Sequence, residues 1–344
     1  MSNQAAVLKS AKARLETEDR AIPKPGQGEV LIRNVALATN PVDWKMQENG
    51  FMIESYPTVL GSDVAGTIEE IGQGVTRFNI GDRVAGFAHV LMSKNPDNAA
   101  FQRYTVVKAC ATVKLPDSVS FEEGSILPMS IATAGGGFFY SLGIPGPPQK
   151  QQGGFLVWGA SSSVGSAVVH YANSRDAEMA ASAGYTVYAV CSSRNFEYVK
   201  KLGAREAFDY NDASIVKSII QSLKASSQQI VIGYDAISEN GSSPQCAEIM
   251  DSFGGGKLCV TLPYPEDVRK PEGVEIVSVF AAKVASDKDT GGWLFSNWLE
   301  KSLIDKIFSP SPSIEKVDGG IGGVQKALDL HKQGLSSRKL VLTL

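Results

Sequence analysis

The stretch Phe155-Leu156-Val157-Trp158-Gly159-Ala160-Ser161-Ser162-Ser163-Val164-Gly165 decides how this chain is read. Its first four residues form an apolar run of strand length. Gly159, Ala160 and three serines follow as a small-residue turn. Val164, Gly165, Ala167, Val168 and Val169 then open a helix with an apolar face. Strand, turn and helix start together make an anion site, because unpaired backbone N–H groups and the positive end of the helix dipole converge on the turn. A dinucleotide pyrophosphate is the usual occupant. Against the pattern G-x-G-x-x-G the aligned residues are Ala160, Ser162 and Gly165, so only the last glycine is met. The reading therefore leans on the strand-to-helix context. It assigns Ser161, Ser162, Ser163, Val164 and Gly165 to the cofactor; an ordinary strand–helix turn is the alternative.

A second β-rich run, Thr186 to Cys191, completes a βαβ unit. A site for NAD places Asp or Glu at the end of this strand, where it accepts from the ribose 2′-hydroxyl. Here the strand runs into Ser192-Ser193-Arg194-Asn195, without a carboxylate. Hydroxyls and a guanidinium suit the dianionic 2′-phosphate of NADPH instead. Ser193, Arg194 and Asn195 are thus cofactor candidates, with a solvated surface arginine as the other reading of Arg194. Ser192 lies 27 residues after Gly165, where about 20 is usual. The surplus falls between His170 and Ala180, as a longer helix or as a bulge at its end.

A length of 344 residues suggests two domains. With 43% hydrophobic and 20% charged residues and a net charge of −3, there is no electrostatic case for nucleic acid or an anionic membrane. No run of 18 apolar residues and no charged-then-apolar leader occurs. Cys110, Cys191, Cys246 and Cys259 are scattered and lack metal-ligand spacing, which fits a reducing, cytoplasmic setting. Residues 1–125 read as mostly β and barrel-like. Residues 126–285 alternate helix and strand, with further parallel strands at Ile230 to Tyr234, Lys257 to Leu262 and Val274 to Phe280. Residues 286–344 leave that pattern as a tail returning to the first domain, with helices over Trp293 to Phe308 and Gly322 to Gln333 and a closing strand from Lys339.

This order resembles the medium-chain dehydrogenase/reductase superfamily over essentially the whole chain. The stretches that carry it are Asn40-Pro41-Val42-Asp43-Trp44-Lys45, Leu60 to Gly66, Val75 to Val84, Leu127-Pro128-Met129 and Gly334 to Val341. Within the superfamily it is similar to quinone reductases and, more closely, to fungal enoyl reductases that work beside polyketide synthases. The resemblance implies an α/β fold: a Rossmann-type doubly wound parallel sheet plus a GroES-like β-barrel domain. It also implies a small-molecule substrate, and a polyketide synthase acyl carrier as a partner. Monomer and homodimer stay open.

The departures bear on the chemistry. Zinc-dependent alcohol dehydrogenases of the superfamily carry Cys where this chain has Asn40, and His-Glu where it has Ser62-Asp63. Their second Cys would fall near Met129, and the four-cysteine structural loop would lie between Gly86 and Arg103, a segment without Cys. A catalytic zinc needs about three protein ligands, so no metal is expected. Without that Lewis acid, the remaining chemistry is hydride delivery to a C=C conjugated to a carbonyl, or to a quinone. Lys45, in the Asn40–Lys45 stretch that the resemblance makes a loop at the cleft, is the cationic candidate for steadying the resulting enolate, or else a solvated lysine. Thr133 resembles the family position beside the nicotinamide, or is a helix-interior threonine. Asn40 and Asp43 are placed with the cofactor; Asp43 equally could cap the turn after Pro41. Tyr210 matches a family tyrosine near the adenosine phosphate. The run Gly135-Gly136-Gly137 either makes room for an acyl chain or permits close helix packing. Two functions stand: an NADPH-dependent enoyl, enone or quinone reductase, and a non-catalytic nucleotide-binding accessory protein on the same scaffold.

Overall fold

A computed structural model describes residues 2–144, 153–173 and 184–344. The chain divides into two compact units, one of residues 1–132 with 282–344 and one of residues 133–281. The sequence reading places these boundaries at 125/126 and 285/286.

The first unit is built on strands β1 (Asn3–Leu8), β2 (Glu16–Arg20), β3 (Glu29–Ala38), β4 (Thr58–Val59), β5 (Asp63–Ile71), β6 (Arg83–Phe87), β7 (Tyr104–Lys108) and β8 (Thr112–Lys114). β1 pairs antiparallel with β2 and β4. The second unit holds β9 (Gly154–Trp158), β10 (Thr186–Cys191), β11 (Glu206–Asp209), β12 (Ile230–Asp235), β13 (Gly256–Val260) and β14 (Val274–Ser278). The tail adds β15 (Ser313–Lys316) and β16 (Arg338–Thr343) to the first unit, where the order is β15-β16-β3-β5-β6-β8 and β7 pairs with β3. The tail is stitched in by the antiparallel β16–β3 pairs, such as Val341 with Ala38.

The second unit's sheet runs β11-β10-β9-β12-β13-β14, and its pairings are parallel. This is the doubly wound sheet that the alternating helix–strand grammar predicts. β9 is buried at all five positions, as a strand covered on both faces requires. The helix Ile215–Ala225 shows how the faces are covered. Ile215, Ile219 and Leu223, four residues apart, are its buried side chains. Strand order reverses between β9 and β12, and ligands of such sheets bind at the carboxyl ends beside that reversal.

Two local expectations change. Asn40 to Lys45, read as a loop, is the cap and first turns of the helix Pro41–Asn49. The span Trp293 to Phe308 is helical as far as Ile304, with a wide π-type stretch, Trp293–Leu299, running straight into an α-helix, Glu300–Ile304. Among the described residues, no helix is long and apolar enough to cross a membrane.

Candidate functional site

In the second unit, β9 ends at Trp158 and the chain turns at Gly159 with φ +71°. A Cβ there would meet Ile237 Cγ1 at 2.3 Å, and one on Gly165 would meet the Gly159 carbonyl oxygen at 2.2 Å. The two glycines therefore let the helix Ser163–Asn173 start directly against the strand end. Ser162 serves that start twice. Its Oγ accepts from the Gly165 amide at 3.0 Å and its carbonyl from the Ser166 amide at 2.8 Å. Four amides at a helix start lack intrahelical partners. Among the described residues, no acceptor is bonded to those of Ser163 and Val164, which are half-buried. Two donors at the positive end of an 11-residue helix fit a pyrophosphate. Ser161 and Ser162 lie in the turn, and Ser163 to Gly165 are the first residues of the helix. The helix continues as far as Asn173; residues 174–183, where the rest of the surplus spacing lies, are outside the described residues.

One strand over, β10 ends in a tight turn, Ser193–Asn195. Asn195 is buried and donates from Nδ2 to Ser161 Oγ at 3.1 Å, tying this turn to the first. Ser192 Oγ donates to Tyr210 Oη at 3.4 Å, and Tyr210 is 47% exposed. Ser193 and Arg194 are exposed.

An acid does stand at this corner, on the neighbouring strand. Asp209 closes β11 and pairs with Cys191, the last residue of β10. Its carboxylate accepts from the Asn211 amide at 2.9 Å and from Asn211 Nδ2 at 2.8 Å. The Asn211 amide first, then the Ser193 hydroxyl, hold the carboxyl below the usual carboxylate range. A reading that looks for an acid only at the end of β10 misses it; the parallel register reveals it.

Asp235, at the end of β12, is a second residue missed. It is fully buried and accepts from the amides of Ile237 and Ser238 at 3.0 and 2.9 Å, and from Ser242 Oγ and Ser243 Oγ at 2.6 and 2.7 Å. Four donors satisfy it, so it folds the loop that brings Ile237 against Gly159.

Thr133 is 8% exposed. Its carbonyl accepts from Tyr234 Oη at 2.9 Å. Tyr234 is fully buried, and a Cβ on Gly137 would lie 2.3 Å from its ring. The glycine run closes the helix Pro128–Gly136 and opens a π-type turn, Gly137–Ser141. The space at Gly137 is taken by the tyrosine, which decides for close packing over room for an acyl chain at that residue.

In the first unit, Asn40 caps the helix Pro41–Asn49, and Asp43 Oδ2 accepts from the Asn40 amide at 2.7 Å. This is the capping role for Asp43. Asn40 Nδ2 donates to Asp63 Oδ2 at 2.9 Å. Asp63 also takes the Met129 amide at 2.6 Å and the Lys339 ammonium at 2.5 Å, and Lys339 reaches the Ile126 carbonyl at 3.1 Å. Asp43 has no exposed surface. Burial pushes its carboxyl up to about 8, the Asn40 amide works against this, and Asp63 adds to it. Asp43 Oδ1 and Ser62 Oγ are buried without a hydrogen-bond partner among the described residues. Nearby, His331 Nδ1 meets Thr39 Oγ1 at 2.8 Å, and burial holds that imidazole down at about 4. Lys45 is half-buried, with Nζ 5.5 Å from the Trp44 ring centroid. Among the described residues, no three His, Cys, Asp or Glu converge as metal ligands would.

Comparison with known proteins agrees with this architecture. Residues 26–117 match the family "Alcohol dehydrogenase GroES-like domain". The chain is 34% identical to the dehydrogenase pigH of Monascus ruber, over the full length of both proteins. It is 31% identical to the trans-enoyl reductase himH of Aspergillus japonicus, covering 99% of this chain and 97% of that protein. A quinone oxidoreductase structure from Pseudomonas syringae superposes over 100% of both chains with a TM-score of 0.77 at 20% identity, a likeness of fold. The helix-start amides at the strand-order reversal, the GroES-like match and the full-length relatives lead to one assignment: the chain is an oxidoreductase of the medium-chain dehydrogenase/reductase superfamily.

Proposed function

We propose that this oxidoreductase uses NADPH to reduce a C=C conjugated to a carbonyl, as in an enoyl thioester or an enone, or to reduce a quinone. The observation that carries the reading is the pair of helix-start amides at Ser163 and Val164, beside a turn that presents Arg194. The full-length relative named a trans-enoyl reductase supports the substrate class. An acyl carrier of a polyketide synthase is the partner that this class adds. Four free cysteines support a reducing, cytoplasmic setting.

NADPH, when bound, supplies the hydride. The chain's own residues do the rest. The Ser163 and Val164 amides hold the pyrophosphate, and Asn195, tied to Ser161, fixes the adjoining turn. Arg194 and Tyr210 meet the 2′-phosphate. Thr133 lines the nicotinamide. Negative charge that develops on the substrate oxygen needs a fixed positive group, and Lys45 is that group; Tyr56 or water supplies the proton to the α-carbon. We read the chemistry as zinc-independent. Asn40 is an amide rather than a thiolate, and both oxygens of Asp63 are already engaged by Asn40, Met129 and Lys339. The deciding experiment follows NADPH consumption with enoyl thioesters, enones and quinones. Turnover of one class names the substrate. Tight NADPH binding with no turnover of any class would instead make the chain a nucleotide-binding accessory protein.

A further inference from the structure

The adenosine corner carries a charge that the cofactor reading does not use. Parallel pairing of Cys191 with Asp209 sets the Asp209 backbone beside the end of β10, the strand whose end meets the ribose in folds of this kind. Asp209 is the only carboxylate that the register sets beside this turn among the described residues. Asn211 holds Asp209 Oδ1 through two bonds of 2.9 and 2.8 Å, so the carboxylate is fixed in place.

We propose that Asp209 is a specificity-determining residue that restrains the preference for NADPH over NADH, by setting a fixed negative charge beside the 2′-phosphate. The proposal rests on the NADPH reading above. Two physical effects act with the same sign. A carboxylate repels a dianion, an effect worth about five- to tenfold in affinity at a separation of ~7 Å in water-like surroundings. A carboxylate also accepts from a free 2′-hydroxyl, which only NADH offers. Asp209 thus weakens the phosphorylated cofactor and favours the other.

The test is equilibrium titration of the full chain with NADPH and with NADH, for wild type, Asp209→Asn and Asp209→Ala. The asparagine keeps an oxygen for Asn211 and removes only the charge. The alanine removes the charge together with the acceptor. Both variants should bind NADPH about five- to tenfold tighter, with NADH unchanged or weaker. The gain should shrink in high salt, where charges farther apart than the Debye length are screened. Equal weakening of both cofactors would make Asp209 a purely structural corner and overturn the proposal, as would an unchanged ratio in both variants. The two readings fail separately. A wild type without NADPH preference refutes the cofactor assignment, while a ratio that still moves towards NADPH in Asp209→Asn upholds the role of Asp209.

Discussion

Lys339 and Asp63 form an ion pair sealed from solvent, with Nζ donating to Oδ2 at 2.5 Å and side chains 2% and 0% exposed. The pair joins β16, contributed by the tail, to β5 of the N-terminal region. It is well satisfied, since the ammonium also holds the Ile126 carbonyl and the carboxylate also holds Asn40 and the Met129 amide. Removing one member of such a pair leaves a buried charge without its counterion, at a cost of about 3–5 kcal/mol. Lys339→Met should therefore lower the unfolding free energy by about that amount in urea titrations. Adding Asp63→Asn, which removes the stranded charge, should recover part of it. A single-variant loss below about 1 kcal/mol would mean that water reaches the pair.

Asp43 gives stability a pH dependence of defined sign. Its carboxyl titrates near 8 in the fold, against an ordinary value of 3.8. The groups that act on it are the Asn40 amide, Asp63 and Lys339. Between those two values the folded chain keeps a proton that the unfolded chain has released. This contribution is full below the ordinary value and is lost as pH rises towards 8. His89, His170 and His331, each held by burial near 4 against 6.5, act in the opposite sense below pH 6.5. At pH 6.5 the unfolded histidines are still half protonated, so the window that isolates Asp43 opens about one unit higher, from about pH 7.5 to about 8.5. The melting temperature should fall across it in the wild type and stay flat in Asp43→Asn, whose amide oxygen still accepts from Asn40. Parallel profiles for the two proteins would show that Asp43 is ionised in the fold.

Gly137 and Tyr234 test a packing relation. A methyl group at 137 would lie 2.3 to 2.8 Å from two ring carbons and the hydroxyl oxygen of Tyr234, a side chain with no exposed surface whose hydroxyl is hydrogen-bonded to the Thr133 carbonyl. The ring has nowhere to go, so Gly137→Ala should cost about 1–3 kcal/mol of stability. Tyr234→Phe, which removes the hydrogen bond from Tyr234 Oη to the Thr133 carbonyl, should cost about 0.5–1.5 kcal/mol. The double variant should lose less than the sum if the two share one strain. Thermal denaturation of the four proteins reads both the single costs and the coupling.

What the sequence could show follows from the range of the interactions. The strand Phe155 to Trp158, its turn and its helix are local, and the sheet order follows from alternating elements joined by right-handed crossovers. The helix at Pro41 was legible too: Asn before Pro, with Asp at the third helical position, is a helix-start pattern, and reading it as a loop overlooked the cap. Asp209 was hidden for another reason. Its place beside Ser193 depends on the register between β10 and β11, which no local pattern encodes. The Tyr234–Gly137 and Lys339–Asp63 contacts join residues 97 and 276 positions apart, and only the folded chain brings them together.

Arg194 is the last test, and it bears on cofactor choice. The exposed Arg194 guanidinium is the one charged donor on the turn Ser193–Asn195, and charged donors make the stronger hydrogen bonds to phosphate. A charged hydrogen bond to a phosphate contributes about 1.5–3 kcal/mol, or roughly tenfold to more than a hundredfold in affinity. Binding of NADPH should exceed that of NADH by at least about tenfold. Arg194→Ala should erase most of the difference and leave NADH almost untouched, because only the phosphorylated ribose meets the guanidinium. Titration of both cofactors against both proteins decides this. Equal affinities in the wild type refute the NADPH assignment. A preference that survives Arg194→Ala moves the phosphate contact to Tyr210, whose half-exposed hydroxyl sits against Ser192 on the same side of the corner, and Tyr210→Phe should then remove it.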